Sequence, residues 1–116
     1  MANGWATLRR TTAALASAVL WSLGGSTALA QETVMVDIQN YTYLPAQVKI
    51  RPGDTVRWTN KEKRTSHSIL FPAEGGLESD RIFPEETWQR TFPQAGSYPY
   101  TCGPHPEMKG LVVVSE

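Results

Sequence analysis

The stretch Gln47-Val48-Lys49-Ile50-Arg51-Pro52-Gly53-Asp54-Thr55-Val56-Arg57-Trp58-Thr59 decides the fold class. Residues 47–50 alternate polar and apolar side chains, the period of a half-buried strand. Residues 51–54 predict a turn: Pro52 presets φ and Gly53 reaches backbone conformations that other residues avoid. Residues 55–59 predict a returning strand with Val56 and Trp58 on one face. Working outward, residues 34–38 predict an opening strand and 67–71 another. Residues 72–80 read as a loop around Gly75-Gly76. Residues 87–92 predict a strand with Trp88, Arg90 and Phe92 on one side, and Ala95-Gly96 a turn. Residues 97–102 place Tyr98, Tyr100 and Cys102 on one face. Residues 111–114 are apolar without alternation, which predicts a strand covered on both sides. No stretch keeps a helical period over ten residues, and eight prolines interrupt the chain. The fold expected is all-β, a sandwich or small barrel of about seven to eight short strands.

The amino terminus has a different character. Residues 1–10 carry Arg9 and Arg10 and no acid, residues 11–23 are apolar or small, and Ala28-Leu29-Ala30 has the small-x-small form of a cleavage site. This is the order of a secretory signal peptide over residues 1–30, cleaved after Ala30, leaving residues 31–116 as the domain. The apolar run is shorter than the roughly 18 residues a membrane span requires. No cysteine lies near the site for a lipid anchor, and Arg9-Arg10 leaves twin-arginine and general export both open.

Composition narrows the function. Eleven basic residues balance eleven acidic ones, so the basic footprint of a nucleic-acid binder is missing. Removing 30 residues from 116 leaves 86, with nine basic residues against eleven acidic. A domain of that size is marginal unless something staples it, and one cysteine cannot form an internal disulfide. A metal bound by the folded state alone supplies such a staple.

The segment Cys102-Gly103-Pro104-His105-Pro106-Glu107-Met108 carries the chemistry. It places a thiolate, an imidazole and a thioether in one short loop at a strand's end. The other imidazole of the chain, His67, opens the strand predicted at 67–71. Two His and one Cys with a weak axial Met is the blue-copper arrangement, so His67, Cys102, His105 and Met108 are the expected copper ligands. The set lies between the preferences of Cu(I) and Cu(II), so one electron moves with little rearrangement. A closed zinc site wants four strong ligands, and a thioether is a poor one. A Cys–His nucleophile lacks an accompanying Asn, Asp or oxyanion turn, and no catalytic residue is expected.

These residues resemble the cupredoxin family and, within it, amicyanins. The resemblance runs through YLPAQVKIRPGDTVRWTN, the isolated His67, TFPQAGSYPYTC and the closing GLVVV, and Cys102, His105 and Met108 match the amicyanin spacing C-x2-H-x2-M. It implies a Greek-key β-sandwich, one type 1 copper ion cycling between Cu(I) and Cu(II), and a monomeric periplasmic one-electron shuttle. It further implies a dehydrogenase as donor, methylamine dehydrogenase in amicyanins, and a c-type cytochrome as acceptor. Two departures stand out. The family usually places Asn after the first His ligand, where its side chain ties that strand to the Cys loop; here Ser68 is shorter. An aromatic residue usually precedes the axial Met; here Glu107 sets a carboxylate beside the expected docking face. That face is expected to be a small apolar patch around the ring edge of His105, with Lys61, Lys63 and Arg64 as a basic collar. Copper storage or delivery is the alternative function, disfavoured because the domain has only Met35 and Met108. Copper enzymes add further His-rich sites, and this chain has no His to spare.

Overall fold

The structure, a computed structural model, describes residues 30–116; apart from Ala30, the leader predicted over residues 1–30 lies outside the described residues. Nine strands follow in chain order: β1 (Thr33–Gln39), β2 (Thr42–Leu44), β3 (Gln47–Ile50), β4 (Thr55–Asn60), β5 (Leu70–Phe71), β6 (Leu77–Glu78), β7 (Thr87–Thr91), β8 (Gly96–Thr101) and β9 (Lys109–Val114), with one 3-10 turn at Pro72–Glu74. They form two sheets, ordered β2-β1-β4-β7 and β3-β9-β8-β5-β6. β1 runs parallel to β4 and β3 parallel to β9, and the remaining pairs are antiparallel. This is a two-sheet sandwich, one of the two forms the strand pattern allows and the one the resemblance implies, with nine strands where about seven to eight are expected.

β3 and β4 fall in different sheets, so residues 51–54 make a corner between layers rather than a hairpin. The corner is held by Asp54, whose carboxylate accepts the Arg51 N–H at 2.9 Å and the Glu32 N–H at 3.0 Å. Those two N–H donors hold its carboxyl below the usual range, since they favour the charged form. Gly53 has φ of 94° and donates its N–H to Phe92 O at 2.7 Å, a conformation that a side chain would strain.

The core lies between the layers. Val36, Ile38, Val56 and Trp58 come from one sheet, and Val48, Ile50, Phe71, Tyr100, Val112 and Val114 from the other. Alternation in β1, in β3 and over Thr55–Trp58 of β4 puts these side chains on the inner faces. Each buried aliphatic or aromatic side chain contributes on the order of 1.5–3 kcal/mol.

Three stretches depart from the sequence pattern, and one strand has no signal in it. The strand predicted over 67–71 shortens to Leu70–Phe71, while His67 makes an isolated bridge to Ile82. The ladder stops there because Ser68 N–H donates to Cys102 Sγ and Ile69 N–H to Ser79 Oγ instead of to a neighbouring strand. The loop predicted over 72–80 contains the 3-10 turn and β6, which folds back on β5 through Gly75-Gly76. β9 buries Val112 and Val114, whereas Leu111 and Val113 are half-buried, because among the described residues no third layer covers the outer face of that sheet. β2 went unread: it is three residues at a sheet edge, too short to show a period.

The sandwich has two poles. The β1–β4 ladder starts with Thr33 beside Thr55 and ends with Ile38 beside Asn60. Gln31, the 51–54 corner and Glu116 gather at the first pole. The 61–67 segment and the loop after β8 gather at the second.

Candidate metal centre

Cys102 follows β8, and Thr101 pairs with Lys109 of β9, so residues 102–108 form the loop between these two strands. The loop is closed from within. Cys102 N–H donates to Met108 O at 3.2 Å, and Met108 N–H donates to His105 O at 2.9 Å. Pro104 and Pro106 contribute no N–H and stiffen the turn between these bonds. His67 arrives from the other direction, fixed by reciprocal backbone bonds with Ile82 at 3.1 and 2.8 Å.

Three of the four expected ligands converge. Cys102 Sγ lies 3.7 Å from His67 Nδ1 and 3.6 Å from His105 Nδ1, and the two Nδ1 atoms are 3.2 Å apart. A circle through three points so spaced has a radius of about 2.0 Å, the length of a bond between imidazole nitrogen and a divalent metal. The donor set therefore fits one metal ion at its centre. Both rings turn Nδ1 inward, so with a metal between them each Nε2 would carry the ring proton. His67 is fully buried, and burial holds its pKa below the usual histidine value, against an opposing pull from Glu62. Burial thus favours the neutral ring, the form that donates a lone pair. Met108 is buried and its backbone is part of the same loop.

Further residues, unread in the sequence, organise the site. Glu62 Oε1 lies 3.3 Å from His67 Nε2 and accepts the Tyr41 N–H at 2.8 Å, which fixes the ring and raises its basicity. Tyr41 stands edge-on to both imidazoles, with centroid distances of 5.5 Å to His67 and 4.9 Å to His105. Asn60, completely buried, donates to Thr65 O and Ile82 O and accepts from Glu62 N–H. The one signal that could have drawn notice to Glu62 is its place as a lone acid in Lys61-Glu62-Lys63-Arg64, five residues before His67. Ser68 closes the gap that its length put in question: its Oγ accepts the Gly103 N–H at 2.9 Å. His105 is half-buried between half-buried Pro104 and exposed Pro106, with Glu107 exposed beyond them. Lys61, Lys63 and Arg64 are exposed and line a hollow with Gln39, Asn40, Glu62 and Thr65.

Residues 30–115 match the family described as copper binding proteins, plastocyanin/azurin family. The chain belongs to that family. It is similar to amicyanin of Paracoccus denitrificans, 37% identical over 90 residues that cover 74% of this chain and 68% of that protein. Amicyanin-alpha of Methylorubrum extorquens is 36% identical over 107 residues, covering 89% and 87%. The crystal structure of amicyanin from Paracoccus versutus superposes with a TM-score of 0.66 at 36% identity, covering 72% of this chain and 81% of that one. The protein is thus an amicyanin-like cupredoxin, and copper is its metal. Among the described residues, no helix is long and apolar enough to cross a membrane.

Proposed function

We propose that this protein is a soluble one-electron carrier of the periplasm, exported by a leader cleaved after Ala30. Copper is held by His67 Nδ1, Cys102 Sγ and His105 Nδ1, with Met108 as the weak fourth ligand. The donor triangle carries the reading, because it offers one soft sulfur and two imidazole nitrogens at spacings suited to a single ion. The metal supplies the electron; the chain supplies a frame that changes little as the electron comes and goes. Three donors locked between β8, β9 and the His67–Ile82 bridge have little room to rearrange. The partners are a dehydrogenase-type donor and a c-type cytochrome acceptor, which meet the half-buried edge of His105. The protein carries electrons rather than catalysing a reaction, and it works as a monomer.

Addition of Cu(II) to the purified domain tests this. The expected result is an intense visible thiolate-to-copper band that bleaches and returns over repeated reduction and oxidation. Cys102→Ser removes the sulfur and abolishes the band. A colourless copper complex, or colour that survives the substitution, overturns the assignment. Cu(I) handed on to an apo-protein without reversible cycling favours copper delivery instead.

A further inference from the structure

We propose that Glu78 is a positioning residue for the metal centre: its carboxylate fixes the Ser68 hydroxyl so that Ser68 clamps the Cys102 loop to the His67 segment. This rests on the copper reading above. Ser68 follows His67 and donates its backbone N–H to Cys102 Sγ at 3.4 Å. Its hydroxyl stands between two partners, donating to Glu78 Oε1 at 2.8 Å and accepting from Gly103 N–H at 2.9 Å. A hydroxyl has a single proton. With that proton given to a carboxylate, only its lone pairs face Gly103, so the bridge has one sense. The charged acceptor also makes the bond one of the stronger kind. The residue after a nitrogen donor is thereby tied to the residue after the sulfur donor.

Two more observations support the unit. Leu70 pairs with Glu78 on one side and Thr101 on the other, which brings the β6 carboxylate beside the start of the 102–108 loop. A side chain at Gly103 would collide with the Glu78 carboxylate and stand 2.9 Å from Ser68 Oγ. The bare position at 103 is the space the bridge occupies. Ser68, Glu78 and Gly103 together do what a longer amide at position 68 would do alone.

The test uses the copper-loaded domain with Ser68→Ala, Glu78→Ala, Glu78→Gln and the Ser68→Ala/Glu78→Ala pair. Two quantities are read: the rate of copper release to excess chelator, and the energy of the thiolate-to-copper band. Ser68→Ala and Glu78→Ala should each speed release about tenfold and shift the band, the scale of one charge-assisted hydrogen bond. The double variant should release copper no faster than Ser68→Ala, since both changes cut one bridge. Glu78→Gln keeps an oxygen that accepts the hydroxyl proton and should restore most of the wild-type behaviour. Glu78 is exposed, so in the copper-free domain its removal should leave the thermal midpoint nearly unmoved. Wild-type release and band in Glu78→Ala, additive effects in the double variant, or a Gln variant as impaired as the Ala variant each overturn the proposal. A wild-type protein that takes up no copper overturns the function reading instead.

Discussion

Asn60 shows how much one buried side chain holds at this site. Its amide N–H groups reach Thr65 O at 2.8 Å and Ile82 O at 2.9 Å, and its oxygen takes the Glu62 N–H at 2.8 Å. Those three bonds shape the 60–66 loop, and through Glu62 and Ile82 they reach both ends of the His67 side chain and backbone. Asn60→Ala leaves Thr65 O and the Glu62 N–H without this partner, and leaves Ile82 O with only the bond from His67 N–H. The expected cost is about 3 kcal/mol, read as a loss of unfolding free energy in denaturant titration. An unchanged midpoint would show that water replaces the amide. Because Glu62 loses its anchor, copper release should also quicken in this variant.

At the scale of elements, the corner at 51–54 decides how β3 passes into β4 and therefore which residues face inward. Asp54 ties that corner to Glu32 at the start of the domain. Its carboxyl is held below the ordinary value, so the ionised form favours the folded state. That contribution is present above the unfolded pKa of about 3.9 and disappears as pH falls through the lower folded value. Asp54→Ala should lower the melting temperature by a few degrees near neutral pH, and the gap to wild type should narrow as pH falls below the unfolded value of about 3.9. An equal gap at both pH values would remove the charge from the account. The elements were legible where the period was clean: Gln47–Ile50 and the faces of Trp58, Tyr98 and Tyr100 all follow from alternation. They were illegible where contacts beyond the chain neighbourhood set the backbone. Ser68 and Ile69 look like strand residues, yet their N–H groups go to a sulfur and a serine oxygen. Leu77–Glu78 becomes a strand because the Gly75-Gly76 reversal delivers it to β5, which no local pattern signals.

The whole molecule depends on its two poles being different. The domain lacks a disulfide, and its copper donors join segments far apart in sequence, so metal bound to the native state adds directly to stability. Stripping copper should lower the melting temperature, and the drop should grow as the free copper in the holo sample is raised. Equal midpoints with and without metal would mean that the donor triangle is set by packing alone. Lys61, Lys63 and Arg64 stand exposed on the donor side. Association with an acidic redox partner should therefore slow steeply with added salt, and Lys61→Glu should flatten that dependence, as stopped-flow mixing would show. A rate indifferent to salt would assign the collar to solvation. Cys102, His105 and Met108 were legible because one loop holds them, and His67 because no other imidazole was left. Glu62, Tyr41 and Glu78 were not, because folding alone brings Glu62 and Tyr41 beside the imidazoles and Glu78 beside Ser68.

The gathering of Gln31 and Glu116 at the pole away from the donors has a practical use. A linker attached at Glu116 joins the molecule at the pole opposite the donors, so immobilisation on a bead or electrode through that position would keep the donor end turned to solution. A tag there anchors this protein without blinding it.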